Sequence, residues 1–306
     1  MTMISHNPFA GLEGIVAENV GLARYTWYKL GGPAKYFVQP RNLEELQTAV
    51  RRCGENGIPT YVLGRGANLL VSDAGVDGAV FYFHETPHWE EVAIDGPLVT
   101  VGCGHDMQKL LLHTARAGLA GLEPMAGIPG TVGGGVRMNA GGKFGDLGAV
   151  VEKVVVMDAE GTVFDRLKED LIFEYRRTNI VAPYILSATL RLEEDDPEAI
   201  AARTKEIWMY KRNTQPLNAK NCGCIFKNPR AVDDSGTPLS AGRLIDQTGL
   251  KGTRVGGAEV SDKHANFFIA HPGCTSADVQ TLIAQVRDRV LEKTGIELES
   301  EVRTWP

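Results

Sequence analysis

Cysteine is scarce in this sequence, with only five in 306 residues. So few cysteines, and an odd number of them, suit a reducing compartment and argue against a disulfide framework. Basic residues do not dominate either, because 32 lysines and arginines stand against 38 aspartates and glutamates, a net charge of −6. This balance gives no global positive field that would hold a nucleic acid or an anionic membrane.

Long hydrophobic runs are also missing. No stretch approaches the roughly 18 apolar residues of a transmembrane helix, and no lysine or arginine precedes Arg24, which argues against a signal peptide. We therefore expect a cytoplasmic protein. Hydrophobic residues still make up 43% of the chain, enough for a sizeable core, so a disordered chain is excluded.

Helix and strand patterns alternate along the first part of the chain, as in α/β units. Asn42 is a predicted helix cap with Glu45 as its capping-box partner, and Asp106 is a second predicted cap. A hairpin is predicted around Glu160-Gly161. Breaks in the pattern predict three domains, at residues 1–85, 86–195 and 196–306. The last domain opens with a helix at Pro197 and contains a final helix capped at residue 275 or 276.

Glycine is the residue in excess, with 35 of 306. A predicted strand runs directly into Gly64-Arg65-Gly66-Ala67-Asn68, a pattern typical of a phosphate-binding turn, because glycine lets backbone N–H groups approach an oxyanion. The third glycine of the Rossmann G-x-G-x-x-G is absent, and no P-loop G-x-x-x-x-G-K-[ST] occurs. A tight turn without a ligand is the alternative interpretation.

More than half of residues 127–135 are glycine. Each such glycine costs roughly 0.5–1 kcal/mol relative to alanine in regular structure. We interpret the stretch as backbone lying against a large planar cofactor that carries a pyrophosphate. A flexible loop is the alternative, although Ile128, Pro129 and Val132 make the stretch stiffer than a linker.

Several segments, taken together and in order, resemble the UDP-N-acetylenolpyruvoylglucosamine reductase family. Residues 63–71, residues 127–134 and Asn139-Ala140-Gly141 resemble the FAD-binding segments of that family. The other matching motifs are Tyr175-Arg176, Lys211-Arg212 with Gln215-Pro216, Gly223-Cys224-Ile225-Phe226-Lys227-Asn228-Pro229, residues 241–246, and Ser300-Glu301-Val302-Arg303. They run from Thr26 to Arg303 and are specific in combination, although each is weak alone.

The resemblance implies an α+β fold. Two α/β subdomains would form an FAD-binding module of the vanillyl-alcohol-oxidase type. A smaller α+β domain would bind the substrate, with the C-terminal tail returning to the active site. The short connection between Leu192 and Pro197 leaves no room for the substrate-binding tyrosine loop of the longer subgroup, so the chain resembles the compact second type.

The resemblance also implies an activity. The family uses NADPH and FAD to reduce UDP-N-acetyl-3-O-(1-carboxyvinyl)-glucosamine to UDP-N-acetylmuramate, a precursor of bacterial peptidoglycan. We expect non-covalently bound FAD, NADPH as reductant, a UDP-sugar as the partner molecule, and no nucleic acid, membrane or metal. A monomer is expected, but no sequence motif indicates the oligomeric state.

Three residues match catalytic positions of the family. Arg176 matches the arginine near the substrate carboxylate, and Glu301 matches the glutamate that polarises the enolpyruvyl group. Cys224 stands where the family usually has the serine that protonates the substrate. A thiol is a stronger acid than an alcohol and is mostly protonated at neutral pH, so it keeps the role while adding a liability to oxidation.

The remaining candidates carried over from the resemblance bind cofactor or substrate. The cofactor-binding candidates are Gly64, Arg65, Gly66, Ala67, Asn68, Leu69, Gly127, Ile128, Pro129, Gly130, Gly133, Gly134, Asn139, Ala140 and Gly141. The substrate-binding candidates are Arg212, Gln215, Lys227 and Asn228. Arginine and lysine suit a diphosphate, and Gln215 stands where part of the family has a lysine.

Three other interpretations are open. Cys222 and Cys224 could combine with His264, His271 and Cys274 in a zinc site or a thiol hydrolase, although C-x-C lacks the usual C-x₂₋₄-C spacing. An FAD-linked oxidase of the same superfamily could act on another substrate. A non-catalytic nucleotide-binding module is the third alternative. The last two leave Arg176, Cys224 and Glu301 without a role.

Overall fold

The computed structural model describes residues 7–233 and 235–306. Residues 1–6, which begin the segment predicted to lack a signal peptide, lie outside this description. The described part forms six α-helices, at Leu43–Glu55, Met107–Arg116, Val132–Arg137, Pro197–Thr214, Ala241–Gln247 and Ser276–Thr294. None of these helices is long and apolar enough to cross a membrane.

The described residues form two compact units. Unit 1 comprises the residues up to Val20, Ala34–Arg65 and Asp77–Trp208. Unit 2 comprises Gly21–Pro33, Gly66–Val76 and Met209–Pro306. The predicted division into three domains at residues 85 and 195 stays a prediction.

Unit 1 contains two main sheets. One has the strand order Val16–Gly21, Pro33–Val38, Val76–Tyr82 and Thr60–Leu63, and its last two strands are parallel. The other is antiparallel, in the order Val163–Leu167, Val151–Met157, Tyr184–Arg191, Leu98–Gly102 and Val92–Asp95. Three short pairs accompany them: Gly141–Gly142 with Gly145–Asp146, Phe173–Glu174 with Arg177–Thr178, and Glu193–Glu194 with Leu119–Ala120. The predicted hairpin is confirmed, since Met157 pairs with Val163 across its turn.

The helix caps of unit 1 are those that the sequence predicts, with one difference. The Asn42 side chain accepts from the Glu45 backbone N–H at 2.9 Å, and Asp106 accepts from the backbone of Gln108 and Lys109. The Glu45 carboxylate, however, accepts from the backbone N–H of Arg41 at 2.7 Å and pairs with the Arg41 guanidinium. The Glu45 carboxylate therefore binds Arg41 instead of the Asn42 backbone N–H, so the cap forms without the predicted capping box.

Unit 2 has a small antiparallel sheet of Arg254–Val255, Ala258–Val260 and Phe268–Ala270. The C-terminal strand Arg303–Trp305 lies parallel to Leu69–Val71. The helix Ser276–Thr294 begins with a capping box between Thr275 and Asp278 and ends at Gly295, whose φ is +68°. Its apolar face packs into one core with Tyr28, Leu70, Cys222, Ile225 and Phe226.

Candidate active site

The loop after the strand Thr60–Leu63 passes from unit 1 to unit 2 between Arg65 and Gly66. A Cβ on Gly64 would lie 2.7 Å from the Thr131 Oγ1, so the backbone approaches too closely for any larger residue. The predicted anion-binding charge of Arg65 is paired with the buried carboxylate of Asp106. An oxyanion bound by this loop would therefore contact backbone N–H groups, while Asp106 neutralises part of the positive charge of Arg65.

The glycine-rich stretch 127–135 is not flat backbone throughout, because it runs into the helix Val132–Arg137. Thr131 caps this helix through its Oγ1, which accepts from the Gly134 N–H at 3.3 Å. Gly127 and Gly130 have φ of +72° and +145°, the left-handed region that favours glycine. The stretch is thus a shaped turn and a first helical turn, which excludes the flexible-loop alternative for these residues.

A cavity of about 120 Å³ lies in unit 1 beside this turn. Its walls include Leu63, Gly64, Gly133, Gly134 and Ile185. A Cβ on Gly134 would meet only the Thr131 Oγ1, at 3.5 Å, so Gly134 faces open space. Apolar walls beside exposed glycine backbone fit a flat ring next to a phosphate group, as an adenine dinucleotide such as FAD requires.

Asn139 and Arg176 belong to one arrangement of short segments in unit 1. Arg176 sits at the tip of the hairpin of Phe173–Glu174 and Arg177–Thr178 with a φ of +57°, and its guanidinium donates to the Gly141 carbonyl at 2.8 Å. The Asn139 amide donates to the Glu174 carbonyl at 3.0 Å and accepts from the Gly148 N–H at 2.9 Å. The Asn139 side chain therefore holds the arginine hairpin, and cofactor binding by Asn139 stays a prediction.

Gly66, Asn68 and Leu69 hold neighbouring parts of unit 2. A Cβ on Gly66 would lie 2.6 Å from the Tyr25 carbonyl oxygen, which explains the glycine. The Asn68 amide donates to the Glu301 carbonyl at 3.1 Å, and the Asn68 carbonyl accepts from the Arg303 N–H at 3.1 Å. Leu69 pairs with Arg303. These contacts position the tail residue Glu301, a role that the sequence did not suggest for Asn68.

Cys224 lies in an extended segment that Asn266 holds in place. The Ile225 N–H donates to the Asn266 carbonyl, and Cys224 pairs with Phe267. The Asn266 amide bonds both the N–H and the carbonyl of Phe226, at 2.9 and 2.8 Å, while Asn266 is only 2% exposed. A buried amide with matched partners fixes the backbone next to the thiol.

Glu301 is brought next to this segment by an irregularity in the pairing. The N–H groups of Glu301 and Val302 both donate to the Ile225 carbonyl, at 2.7 and 3.3 Å, so two residues oppose one. In a regular strand successive side chains point to opposite faces, and a bulge of this kind changes the direction in which the following side chains point. The structure thus brings Cys224 and Glu301 together: burial raises the pKa of the neighbouring Cys222 thiol, and Cys224 and Glu301 both raise it further.

The predicted substrate-binding residues also belong to unit 2. The Lys227 ammonium pairs with Glu299, and this hydrogen bond lowers the pKa of the Glu299 carboxyl. The Asn228 Oδ1 accepts from the Ala241 N–H at 3.0 Å, at the start of the helix Ala241–Gln247. Arg212 is exposed near the end of the helix Pro197–Thr214, and Gln215 follows that helix directly.

Comparison with known proteins gives a consistent result. Residues 215–305 match the C-terminal domain of UDP-N-acetylenolpyruvoylglucosamine reductase, and residues 34–166 match the FAD binding domain. The UDP-N-acetylenolpyruvoylglucosamine reductase of Moorella thermoacetica is 40% identical over 100% of this chain and 98% of its own. The chain belongs to the UDP-N-acetylenolpyruvoylglucosamine reductase family.

Two further members of the family give the same picture. UDP-N-acetylenolpyruvoylglucosamine reductase 2 of Symbiobacterium thermophilum is 40% identical over 93% of this chain and 90% of its own length. The crystal structure of the reductase from Thermus caldophilus aligns with a TM-score of 0.80 at 37% identity, covering 94% of this chain and 98% of that one. The predicted family, the α+β class and the FAD-binding module are confirmed.

The zinc alternative finds no support. Among residues 7–233 and 235–306, no group of three histidine, cysteine, aspartate or glutamate side chains could hold a metal ion. Cys222 is buried in the core of unit 2, and the His271 Nε2 lies 2.6 Å from the Glu259 carboxylate.

Sequence reasoning missed three residues, two in unit 1 and one in unit 2, that line or support the candidate regions of their own unit. The Gln108 side chain bonds the backbone of Met125, Gly127 and Ile128 and so fixes the start of the glycine turn. His84 lines the cavity, with its Nδ1 held by the Gly104 carbonyl at 2.9 Å. Asn266 is the third. All three act through partners distant in sequence, so no local motif indicates them.

Gly134→Ala tests whether the cavity wall faces the cofactor. We expect the thermal stability of the FAD-free protein to be unchanged or slightly higher, because the new Cβ meets nothing closer than 3.5 Å and alanine favours a helix. Affinity for FAD, measured by fluorescence titration, should fall. In the matched variant Gly133→Ala the Cβ would lie 2.9 Å from the Cys103 Cβ, so the FAD-free protein itself should lose stability. Unchanged FAD affinity in Gly134→Ala would contradict this position for the cofactor.

Proposed function

We propose that this chain reduces the enolpyruvyl group of UDP-N-acetyl-3-O-(1-carboxyvinyl)-glucosamine to give UDP-N-acetylmuramate, with Arg176, Cys224 and Glu301 as its catalytic residues. Similarity to the reductases over essentially the full chain carries this proposal. The adjacency of Cys224 and Glu301 in unit 2 supports the assignment of residues.

Bound FAD would supply the redox chemistry, with NADPH as the source of the hydride and the terminal vinyl carbon of the substrate as its destination. The backbone of Gly64, Gly133 and Gly134 would hold the nucleotide part of the cofactor, because each of these glycines lines the cavity. The apolar side chains of Leu63 and Ile185 would exclude water from a flat ring placed there.

Arg176 binds the substrate carboxylate in this proposal. A guanidinium is always charged and can form two parallel hydrogen bonds with one carboxylate. Its contact with the Gly141 carbonyl and the Asn139 support behind the hairpin fix its position before the substrate arrives. The charge that develops on the carboxyvinyl group during reduction is then stabilised without rearrangement of the protein.

Cys224 supplies the proton. After the hydride reaches the terminal carbon, the adjacent carbon carries negative charge shared with the carboxylate. The Sγ–H of Cys224 donates its proton to that carbon, and water restores the thiol afterwards. Glu301, on the neighbouring segment, polarises the enolpyruvyl group so that the hydride enters at the terminal carbon.

Arg212, Gln215, Lys227 and Asn228 bind the UDP-sugar in this proposal. A diphosphate carries two negative charges that arginine and lysine neutralise. Lys227 is paired with the exposed Glu299 in this structure, so a phosphate would replace one acceptor of the ammonium with another. Because exposed ion pairs contribute little free energy, little stability is lost when a phosphate replaces Glu299 as the partner of Lys227.

We further propose that the protein works as a monomer in the cytoplasm. All five cysteines are thiols in the structure, as expected in a reducing compartment. Nucleotide-sugar substrates and NADPH are made there, so cofactor and substrate would be at hand.

The purified protein should be yellow with non-covalently bound FAD. We expect denaturation followed by filtration to release all the flavin as free FAD, identified by chromatography, because burial raises the pKa of the Cys103 thiol in the cavity wall and keeps it protonated rather than nucleophilic. A colourless protein that fails to take up added FAD would contradict the proposed function.

A further inference from the structure

Cys222 is a buried thiol to which the proposed mechanism gives no role. It is 2% exposed and packs in the core of unit 2, whereas Cys224 is half-buried. Only Gly223 separates the two cysteines. Gly223 has a φ of +82°, and its N–H donates to the Asn221 Oδ1 at 2.9 Å. The two thiols therefore flank a turn rather than a straight strand.

The short separation and this turn bring the two cysteines toward the range that a disulfide spans. Two residues of fully extended chain span about 6.6–7.2 Å, and a left-handed residue between them shortens that distance. Disulfides join Cα atoms that are about 4.4–6.8 Å apart. Besides burial, Cys224 itself raises the pKa of the Cys222 thiol, which agrees with this proximity.

The Tyr28 hydroxyl lies on the buried side of Cys222. It is fully buried and has no nitrogen or oxygen hydrogen-bond partner among the described residues. Burial raises the pKa of this hydroxyl, and the nearby Cys222 and Cys274 thiols raise it further. Burial raises the pKa of the Cys222 thiol, and the neighbouring Tyr28 hydroxyl partly offsets that rise. Tyr28 is thus placed to donate to the Cys222 sulfur when that sulfur becomes a thiolate.

We propose that Cys222 and Cys224 are an oxidation-sensitive dithiol that closes to a reversible disulfide in the presence of a hydroperoxide. The half-buried Cys224 sulfur attacks the peroxide, its O–O bond breaks, and Cys224 becomes a sulfenic acid as water or an alcohol leaves. The Cys222 sulfur then attacks the Cys224 sulfur, the S–O bond breaks, and the thiol proton leaves with the hydroxide as water. Each sulfur loses one electron and the peroxide gains two.

Closure of this disulfide removes the S–H of Cys224. If Cys224 is the proton donor, as the proposed function holds, the substrate half-reaction then stops while flavin reduction by NADPH continues. Reduction by a small dithiol restores the activity. Cys222 thereby protects the donor from irreversible oxidation to sulfinic acid, because it captures the sulfenic acid first.

The chain allows a direct test. Trypsin cleaves after Lys220 and Lys227 and releases residues 221–227, which contain both cysteines and no other. We expect mild peroxide treatment of the FAD-loaded enzyme to lower the mass of this peptide by two hydrogens and to block its alkylation. Dithiothreitol should reverse both changes. A peptide that only gains oxygen, or that becomes linked to the peptide containing Cys274, would overturn the proposal.

Two variants separate the roles of the residues. In Cys222→Ala, initial turnover should be close to wild type, but peroxide should add two oxygens to Cys224, giving a sulfinic acid that dithiothreitol cannot reduce, so activity should not return. In Tyr28→Phe, turnover should be unchanged and disulfide closure should be slower. If Cys222→Ala recovers with dithiothreitol as fully as wild type, Cys222 does not protect Cys224. If the disulfide forms but substrate reduction continues, the dithiol stands and the proposed role of Cys224 as proton donor fails.

Discussion

Cys224→Ala should slow reoxidation of the reduced flavin by the enolpyruvyl substrate by at least the ~10²–10⁴-fold typical of a lost general acid. FAD content and the rate of flavin reduction by NADPH should stay close to wild type, since neither needs a proton at the substrate carbon. Stopped-flow absorbance of the two half-reactions measures both rates separately. Cys222→Ala is the matched control, because it removes a thiol two residues away and should leave both rates nearly unchanged.

Cys224→Ser adds a second readout to the same position. Serine should retain much of the activity, since a hydroxyl can also donate a proton. In the wild-type enzyme the substrate half-reaction should fail as the pH rises through the titration of the Cys224 thiol, because a thiolate has no proton to give. In the serine variant this decline should move to higher pH or vanish.

Alkylation provides an independent check on Cys224. An alkylating reagent should inactivate the wild type, spare Cys224→Ser, and act more slowly when substrate is bound. Wild-type turnover in Cys224→Ala, with the same pH profile, would show that the proton comes from another group.

Arg176→Lys is the second substitution with a large expected effect. A lysine ammonium is a point charge and cannot form the paired hydrogen bonds that a guanidinium makes with a carboxylate. The lysine would also lose the contact that Arg176 makes with the Gly141 carbonyl, which steadies the side chain. We expect the substrate half-reaction to slow far more than a conservative change suggests, while flavin reduction by NADPH survives.

Arg177→Lys is a control for this change. Arg177 is the next residue on the same hairpin, is well exposed and pairs with Glu174. Exposed ion pairs contribute little, so this variant should behave like wild type in both half-reactions. Equal rates for Arg176→Lys and wild type would place Arg176 away from the substrate.

Local signals in the sequence predicted the elements well. Asn42, Asp106 and Thr275 cap helices as their side chains suggest, because capping depends on residues only two or three positions away. The helix Val132–Arg137 was not predicted, because three of its six residues are glycine, which has poor helix propensity. Its Thr131 cap was the signal available in the sequence.

The contacts that position the candidate site could not be predicted from local patterns. Asn68 bonds the backbone of Glu301, and Asn266 bonds that of Phe226, across 233 and 40 residues of sequence. Asn68 and Asn139 resembled cofactor-binding positions, yet their side chains bond backbone groups next to the catalytic candidates. Such pairings depend on the completed fold, since either amide could equally have bonded a ligand.

An anaerobic reaction in two steps tests the proposed function most directly. The enzyme is first reduced with one equivalent of NADPH until the flavin absorbance disappears, and UDP-N-acetyl-3-O-(1-carboxyvinyl)-glucosamine is then added. We expect the oxidised flavin spectrum to return with one equivalent of UDP-N-acetylmuramate, detected by mass spectrometry. A flavin that stays reduced after the substrate is added, or that is reoxidised only by air, would contradict the assignment.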